Sequence, residues 1–351
     1  MRRRLLSLAM ALAMALSLLP TVALAVQDET EYGNEENIPV SEPMNDGNRG
    51  DVNAVYVAEV GDAQYESLSA AIENAQSGDT VTLLGNTSLP EKVTITTTLT
   101  LNLNGFTITR GEAHISSPLI QVDSTGNLTV IDNGGDSNTG KIESSNFAVD
   151  GKNYAGYGVL VYGVLNIQSG SISGYNAIVV DGESGQANIN GGTITGNNNG
   201  IVVRNKAQAS VTGGEVTGSG NCGVMVESGA KSYLRGSADV NGEYGAIVTG
   251  NDSVLYVEGG DISGTNFPGV QAQIGGTAEI TGGTISSSNQ AVAILNLPGY
   301  NADLTSVTIS GGEIKGIGED SFGVIIQATT TPGGDAARAV ANIEGTAEVS
   351  G

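Results

Sequence analysis

The sequence predicts an all-β fold, a solenoid of parallel strands wound in coils of about 22 residues. Glycine supplies 52 of 351 residues, roughly twice its usual share. Small residues recur at a fixed period, and short β-branched runs separate them. A helical repeat would not tolerate several glycines per unit, and a propeller blade needs about 40 residues. One coil of a parallel β-helix fits the period.

Two independent columns give the same period. The first is the second glycine of a Gly-Gly-x-Ile step, spaced by 22, 22, 22, 24, 23 and 29 residues: Gly170, Gly192, Gly214, Gly236, Gly260, Gly283 and Gly312. The second is a small residue that opens a buried run: Gly158, Ala177, Gly200, Gly223, Gly245, Gly269, Ala291 and Gly323. Strands of neighbouring coils lie about 4.8 Å apart, so residues one period apart should touch.

This spacing predicts two inward columns of stacked apolar side chains. One column contains Ile167, Ile189, Val211, Val257, Ile280 and Ile309. The other contains Ile172, Ile194, Val216, Ile262, Ile285 and Ile314. Along each strand, polar residues alternate with these apolar ones, as expected for one buried face.

The N-terminal region reads as an export signal followed by a spacer. Residues 1–25 combine three arginines, about 15 apolar residues and a small-residue cleavage site, which is the pattern of a secretory signal peptide. A transmembrane anchor is the alternative, but it needs roughly 20 apolar residues. Residues 26–52 are acidic and predict a disordered leader. We therefore expect a secreted or cell-surface protein without an integral membrane span after cleavage.

The repeat begins after an N-terminal cap at residues 53–78. Apolar spacing predicts a strand and then a short amphipathic helix over 67–77, with Ser67 as N-cap and Gly78 at its end. Such a helix would cover the open edge of a solenoid. Residues 79–351 form the predicted β-helix. The final segment, 345–351, repeats the lead-in to an earlier coil, which favours a solenoid truncated at this point.

Several motifs carry a family resemblance. The segments Asn190–Gly196, Thr212–Gly218, Thr281–Ile285 and Tyr65–Leu84 resemble right-handed parallel β-helix proteins of the pectin-lyase-like fold, especially exported bacterial surface proteins. The resemblance covers about residues 54–351 and implies a right-handed solenoid. Because this fold hosts both enzymes and adhesive stalks, two functions stay open. The first is a non-enzymatic, adhesin-like surface protein with a glycan as candidate ligand, and the alternative is a polysaccharide lyase or glycoside hydrolase.

The amino-acid composition limits which molecules the protein can bind. Lys and Arg number 14 against 37 Asp and Glu, a net charge of −23. This charge excludes nucleic acid as a partner and disfavours an acidic polysaccharide substrate, which would need a basic groove. A single cysteine excludes an internal disulfide and a multi-thiolate metal site. We expect no cofactor, and a host or environmental glycan or protein as the partner.

The best catalytic candidates are stacked charges. Asp181, Arg204 and Glu227 lie 23 residues apart and follow the buried runs of three successive coils, with Lys206 close to Arg204. Lyases of the resembling fold use an arginine or lysine base and carboxylate-held calcium. A ladder of opposite charges that relieve each other is the favoured explanation. Of the polygalacturonase-like motifs, only the segment 204–206 matches.

Two weaker candidates concern ligands. A tyrosine cluster around one coil offers a sugar a stacking surface, although ordinary packing is favoured. Its members are Tyr154, Tyr157, Tyr162 and Tyr175. Asp132, Asp136 and Glu143 are spaced like calcium ligands, but Gly134 and Ser137 interrupt the required pattern, which favours a turn.

Overall fold

Parallel β-strands, stacked one beside the next, build almost all of the structure. The computed structural model describes residues 55–112, 118–135, 140–149, 152–296, 304–328 and 338–351, with the backbone alone at 147–149 and 152–154. The predicted signal and acidic leader lie outside these residues. The described part is a repeat-like parallel β-solenoid with one short helix, which confirms the predicted all-β class.

Two long sheets carry the strands, numbered here in chain order. Sheet one contains β1 Ala58–Val60, β2 Ala63–Tyr65, β3 Thr80–Leu83, β6 Thr98–Asn102, β9 Asn127–Ile131, β14 Val164–Ile167, β16 Gln186–Ile189, β18 Gln208–Val211, β20 Lys231–Leu234, β22 Val254–Val257, β25 Thr277–Ile280, β28 Thr305–Ile309 and β31 Ala339–Ile343. Apart from the antiparallel pairings of β1 with β2 and β3, its strands pair in parallel.

Sheet two runs alongside and is also parallel. It contains β4 Thr87–Leu89, β5 Val93–Ile95, β7 Thr107–Arg110, β8 Ile120–Val122, β10 Lys141–Glu143, β13 Val159–Val161, β15 Ser171–Asp181, β17 Thr193–Arg204, β19 Glu215–Glu227, β21 Asp239–Thr249, β23 Asp261–Gly264, β24 Val270–Gln273, β26 Thr284–Ser287, β27 Gln290–Asn296, β29 Glu313–Gly316, β30 Phe322–Ala328 and β32 Glu348–Ser350. A separate antiparallel hairpin joins β11 Phe147–Val149 to β12 Lys152–Tyr154.

The two predicted columns form part of the core. In sheet one, the register pairs Ile167 with Ile189 and continues through Val211 to Ile309. In sheet two, a matching column runs from Ile172 to Ile314. The predicted members of both columns are fully buried, and side chains of the two sheets form one continuous core. The stacked columns are therefore confirmed.

Within the predicted span, the structure adds one member to each column. Leu234 lies between Val211 and Val257, and Val240 lies between Val216 and Ile262. Six positions separate Leu234 from Val240, whereas five separate Val211 from Val216. The turn between the two sheets holds one extra residue here, and this shift hid both residues from the repeat pattern.

The Gly-Gly steps are explained by the turn that enters sheet two. Gly192 and Gly214 adopt φ values of +80° and +81°, which L-residues rarely adopt. A Cβ atom at Gly192 would lie 2.5 Å from the carbonyl oxygen of Gly170, and one at Gly214 would lie 2.6 Å from that of Gly192. Each glycine therefore permits its own turn to stack closely on the preceding one.

The helix, α1, spans Leu68–Asn74 and is shorter than predicted. Ser67 caps its N-terminus by accepting a hydrogen bond from the Ala70 N–H at 3.1 Å, as expected. Ala75 already has an extended backbone, so Gly78, at φ +96°, lies in the turn toward β3 and does not end the helix. Among the described residues, no helix has the length and apolar character required to cross a membrane.

Candidate functional site

Asp181 and Arg204 form a directed ion pair. Both residues end a strand of sheet two, and the parallel register places them opposite each other. Arg204 donates from Nε and Nη2 to Asp181 Oδ2 at 2.9 and 2.8 Å, and Asn205 Nδ2 donates to Oδ1 at 2.7 Å. The Asp181 side chain is only 12% exposed. Arg204 is therefore held as a positioned cation, and a guanidinium in this state is a poor base.

Glu227 lies beyond Arg204 on the next strand but is not part of that pair. Its neighbour Val226 is in register with Val203, so Glu227 follows Arg204 along the stack. Within the described part of the chain, no hydrogen bond or ion pair reaches its carboxylate. Burial raises the pKa of Glu227; the charge of Arg204 lowers the pKa in part, and that of Asp181 raises it further. The column is thus one ion pair and one poorly compensated acid.

Lys206 pairs with Glu183 at the solvent-exposed edge of the same region. Lys206 Nζ donates to Glu183 Oε1, and both side chains are mostly exposed. This hydrogen bond and the attraction between the charges raise the pKa of Lys206 and lower that of Glu183. The charge of Asp252 also raises the pKa of Lys206.

This pair lies at one end of a surface groove of about 850 Å³, which we call the turn groove. The turn groove follows five successive turns, those that lead from β15, β17, β19, β21 and β24 back into sheet one. Its lining residues are Glu183, Lys206, Gln208, Ser228, Gly229, Lys231, Asn251, Asp252, Val254, Gly275, Thr277 and Leu304. Four steps of about 4.8 Å give this row of turns a length of about 19 Å.

The same turns concentrate unusual backbone conformations. Five of the six described non-glycine residues with positive φ lie here: Asn205, Lys206, Ser228, Asp252 and Ile274. Such conformations cost about 1 kcal/mol or more each and cluster at functional sites. Ile274, at φ +51°, is the most unusual because β-branched residues avoid this region. The strain points to the turn groove as the candidate site.

Lys231, at the start of β20, is a functional candidate that the sequence analysis did not select. It is exposed and lies in register between Gln208 and Val254. In the described structure, no carboxylate pairs with its ammonium and no side chain accepts a hydrogen bond from it. The register itself was the available signal, because Lys231 lies one period from two other outward-facing residues.

Of the four predicted tyrosines, the structure describes three with their side chains. Tyr157 packs on a second, separate apolar cluster that includes Val179 and Met225. Tyr162 is half-buried near Asp181, and burial, followed by the charge of that carboxylate, raises its pKa. Tyr175 is half-buried on β15. For Tyr154 the structure describes the backbone alone, as part of β12.

Two aromatic stacks escaped the sequence analysis. The rings of Tyr233 and Tyr256 are 4.7 Å apart and nearly parallel, and Arg235 lies over the first ring at 4.5 Å from its centroid. The rings of Tyr244 and Phe267 stack at 4.6 Å. Tyr233 and Tyr256 occupy equivalent outward positions on β20 and β22, so the stacking follows from the register.

The carboxylate of Asp132 is engaged by the backbone. Its Oδ1 accepts hydrogen bonds from the N–H groups of Gly105 and Gly134, and its Oδ2 accepts one from Gly140 at 2.9 Å. Glu143 is exposed at the end of β10, and Asp136 lies outside the described residues. In the described ranges, no group of three or more His, Cys, Asp or Glu side chains is placed to hold a metal ion.

Comparison with known proteins adds no relative. No protein-family model, curated protein or solved structure matches this chain.

Proposed function

We propose that this chain is an exported, non-enzymatic surface protein of adhesin-like character that binds an extended glycan in the turn groove. Its fold is, in this proposal, a right-handed parallel β-helix of the pectin-lyase-like kind with coils of about 22 residues, capped by α1. In support of the coil length, the register joins residues such as Ile167 and Ile189, 22 positions apart, and Val216 and Val240, 24 apart. In support of the cap, Leu68, Ala71 and Ile72 of α1 are buried, and the first of these is 1% exposed.

The observation that carries this function is the turn groove itself. It repeats similar positions at each step, because Gln208, Lys231, Val254 and Thr277 occupy equivalent places on neighbouring strands. Because the spacing of these positions is regular, an extended polymer can lie across successive strands and meet a different side chain at each step. Hydroxyl, amide and aliphatic side chains line the groove beside four charged ones, and its hydroxyl and amide groups can form hydrogen bonds with the hydroxyls of a sugar.

The charged residues favour binding over catalysis. Arg204, which lies between Asp181 and Glu227 along the stack, directs Nε and Nη2 to Asp181. A lyase needs a base within reach of the sugar, and a paired guanidinium does not accept a proton at neutral pH. In the described residues, Arg204 is therefore not available as the base that the lyase alternative needs.

A pair of matched tryptophan substitutions tests the proposal. Val254→Trp places a large ring on the floor of the turn groove, whereas Thr195→Trp places the same ring on an outward position of β17 in sheet two. We expect the full-length exported protein to bind oligosaccharides on a glycan array and by calorimetry. Val254→Trp should remove binding, and Thr195→Trp should preserve it.

The same preparation should release no unsaturated uronate from polyuronates, with or without calcium. Equal binding by both tryptophan variants would place the ligand elsewhere. Release of uronate that disappears in a folded Arg204→Ala variant would establish the lyase alternative.

A further inference from the structure

We propose, as a refinement that rests on the proposed function, that Lys231 selects glycans that carry an isolated carboxylate. In the same proposal, the acidic residues of the turn groove reject polyuronates. The groove thus discriminates between sugar chains by the number of carboxylates per sugar. Lys231 is the residue that determines specificity, and Glu183 and Asp252 oppose the wrong ligand.

The charges that line the turn groove sum to zero. Its ionised residues are Glu183, Lys206, Lys231 and Asp252, two acids and two bases, in a chain whose net charge is −23. Lys206 is committed, because its ammonium donates to Glu183 and lies within the field of Asp252. Lys231 is left as the groove ammonium to which the described structure assigns no carboxylate.

The position of Lys231 suits a ligand carboxylate. Lys231 begins β20 and points outward, with Gln208 one strand before it and Val254 one strand after it. These neighbours are uncharged, so a carboxylate can approach the ammonium along the groove without meeting another acid on those two strands. The Gln208 amide and the Thr277 hydroxyl, on the same row, offer hydrogen bonds to the neutral sugars on either side.

A polyuronate would be repelled by the acidic residues of the turn groove. With one carboxylate on every sugar, only one of its charges can pair with Lys231. On one side the next charges meet the Lys206–Glu183 pair, whose ammonium is already engaged, and on the other side they meet Asp252, where like charges repel. Specificity of this kind combines one attraction for the right ligand with repulsion of the wrong one.

The experiment compares three oligosaccharides of equal length by calorimetry: a neutral one, the same chain with one uronic acid residue, and a polyuronate. The wild type should bind the single-carboxylate chain about fivefold more tightly than the neutral chain, the ratio expected for a partly exposed ion pair. Lys231→Met should remove this preference while neutral binding is retained. Added salt should weaken the preference in the wild type.

Lys141 supplies the matched control. It also begins a strand and is exposed, but it belongs to sheet two, outside the lining of the turn groove. Lys141→Met removes the same charge from the chain and should keep the preference. The double variant Glu183→Gln, Asp252→Asn should gain affinity for the polyuronate, because it removes both opposing charges.

The outcomes separate the two proposals. If the wild type binds none of the three sugars, the proposed function is wrong and this refinement is wrong with it. If the wild type binds them and Lys231→Met behaves like Lys141→Met, the groove binds glycans but charge selection by Lys231 is wrong. Thermal melting of each variant confirms that it is folded before binding is compared.

Discussion

Ser232 is a buried hydroxyl without a partner, and its replacement by alanine should stabilise the protein. Ser232 lies on an inward position of β20 and is fully buried. Its neighbours in the register are Ala209 and Leu255, which offer no polar side chain. Its Oγ is the one fully buried side-chain oxygen or nitrogen in the described residues with no hydrogen-bond partner.

The expected gain follows from two opposing effects. A buried polar group without a partner costs about 1–3 kcal/mol of folding free energy. Removing the oxygen also removes its dispersion contacts, worth a few tenths of a kcal/mol for one atom. Ser232→Ala should therefore raise the free energy of unfolding by about 1 kcal/mol, and Tm by about 2 °C for a domain of this size.

Ser253 provides a control with the same residue type and the same burial. It is also fully buried, but its Oγ accepts a hydrogen bond from the Gly229 N–H at 3.0 Å. Ser253→Ala leaves this N–H without its acceptor and should lower the free energy of unfolding by about 1–2 kcal/mol. Urea denaturation and differential scanning calorimetry on both variants measure the two effects.

The opposite signs are the decisive point. If Ser232→Ala lowers Tm as Ser253→Ala does, then the Ser232 hydroxyl has a partner or its volume matters more than its polarity. A lower Tm for Ser232→Ala would therefore refute the expected stabilisation. A change of less than 0.5 °C in both variants would show that hydroxyl burial carries little weight in this stack.

Four further outcomes are expected. Val211→Asp should destabilise the fold by about 4 kcal/mol or more, because an unpaired charge enters a fully buried column; Ser210→Asp, one position away on the outward face, should change Tm by little. Arg204→Ala should cost about 2 kcal/mol in urea denaturation, since the nearly buried carboxylate of its partner loses two charge-assisted hydrogen bonds; no loss would mean that the pair contributes nothing to stability. The pKa of Glu227 is raised from 4.5 in the folded state, so its contribution to stability falls as pH rises through the folded pKa. Glu227→Gln, which cannot ionise, should therefore melt higher than the wild type at pH 7 and show a smaller advantage at pH 4; an advantage that grows on acidification would contradict the sign. Burial raises the pKa of the Cys222 thiol strongly, so thiol reagents should label it only after unfolding, and rapid labelling of the native protein would show that the site opens.

The repeating part of the fold could be predicted from the sequence because stacking imposes a strict period. Each inward residue packs against the equivalent residue one strand away. The positions of Ile189 and Ile194 therefore predict those of their stacked neighbours, one period along the chain. The prediction failed for Leu234 and Val240, where a turn holds one extra residue. The repeat pattern does not reveal that residue, because it belongs to no column. It changes only the number of residues between the two columns.

The candidate site was less predictable, for a different physical reason. The pairing of Asp181 with Arg204 follows from the register and could be foreseen. The isolation of Glu227 could not, since it depends on where the guanidinium of Arg204 points. The availability of Lys231 depends likewise on which carboxylates lie within reach. Side-chain directions of this kind depend on three-dimensional packing and cannot be predicted from the spacing of residues in the sequence.

The turn between Leu234 and Val240 holds one extra residue, and it shows how a surface turn of this fold can change without loss of the core. Both residues remain in register with their neighbours, so the turn absorbs the insertion locally. Turns on this scaffold can therefore lengthen or vary one at a time while the stacked columns stay fixed. Insertion of a whole repeat would instead extend the turn groove by one strand spacing, about 4.8 Å. Under the proposed function, the number of repeats would therefore set the ligand length, and the residues of single turns would set the ligand chemistry.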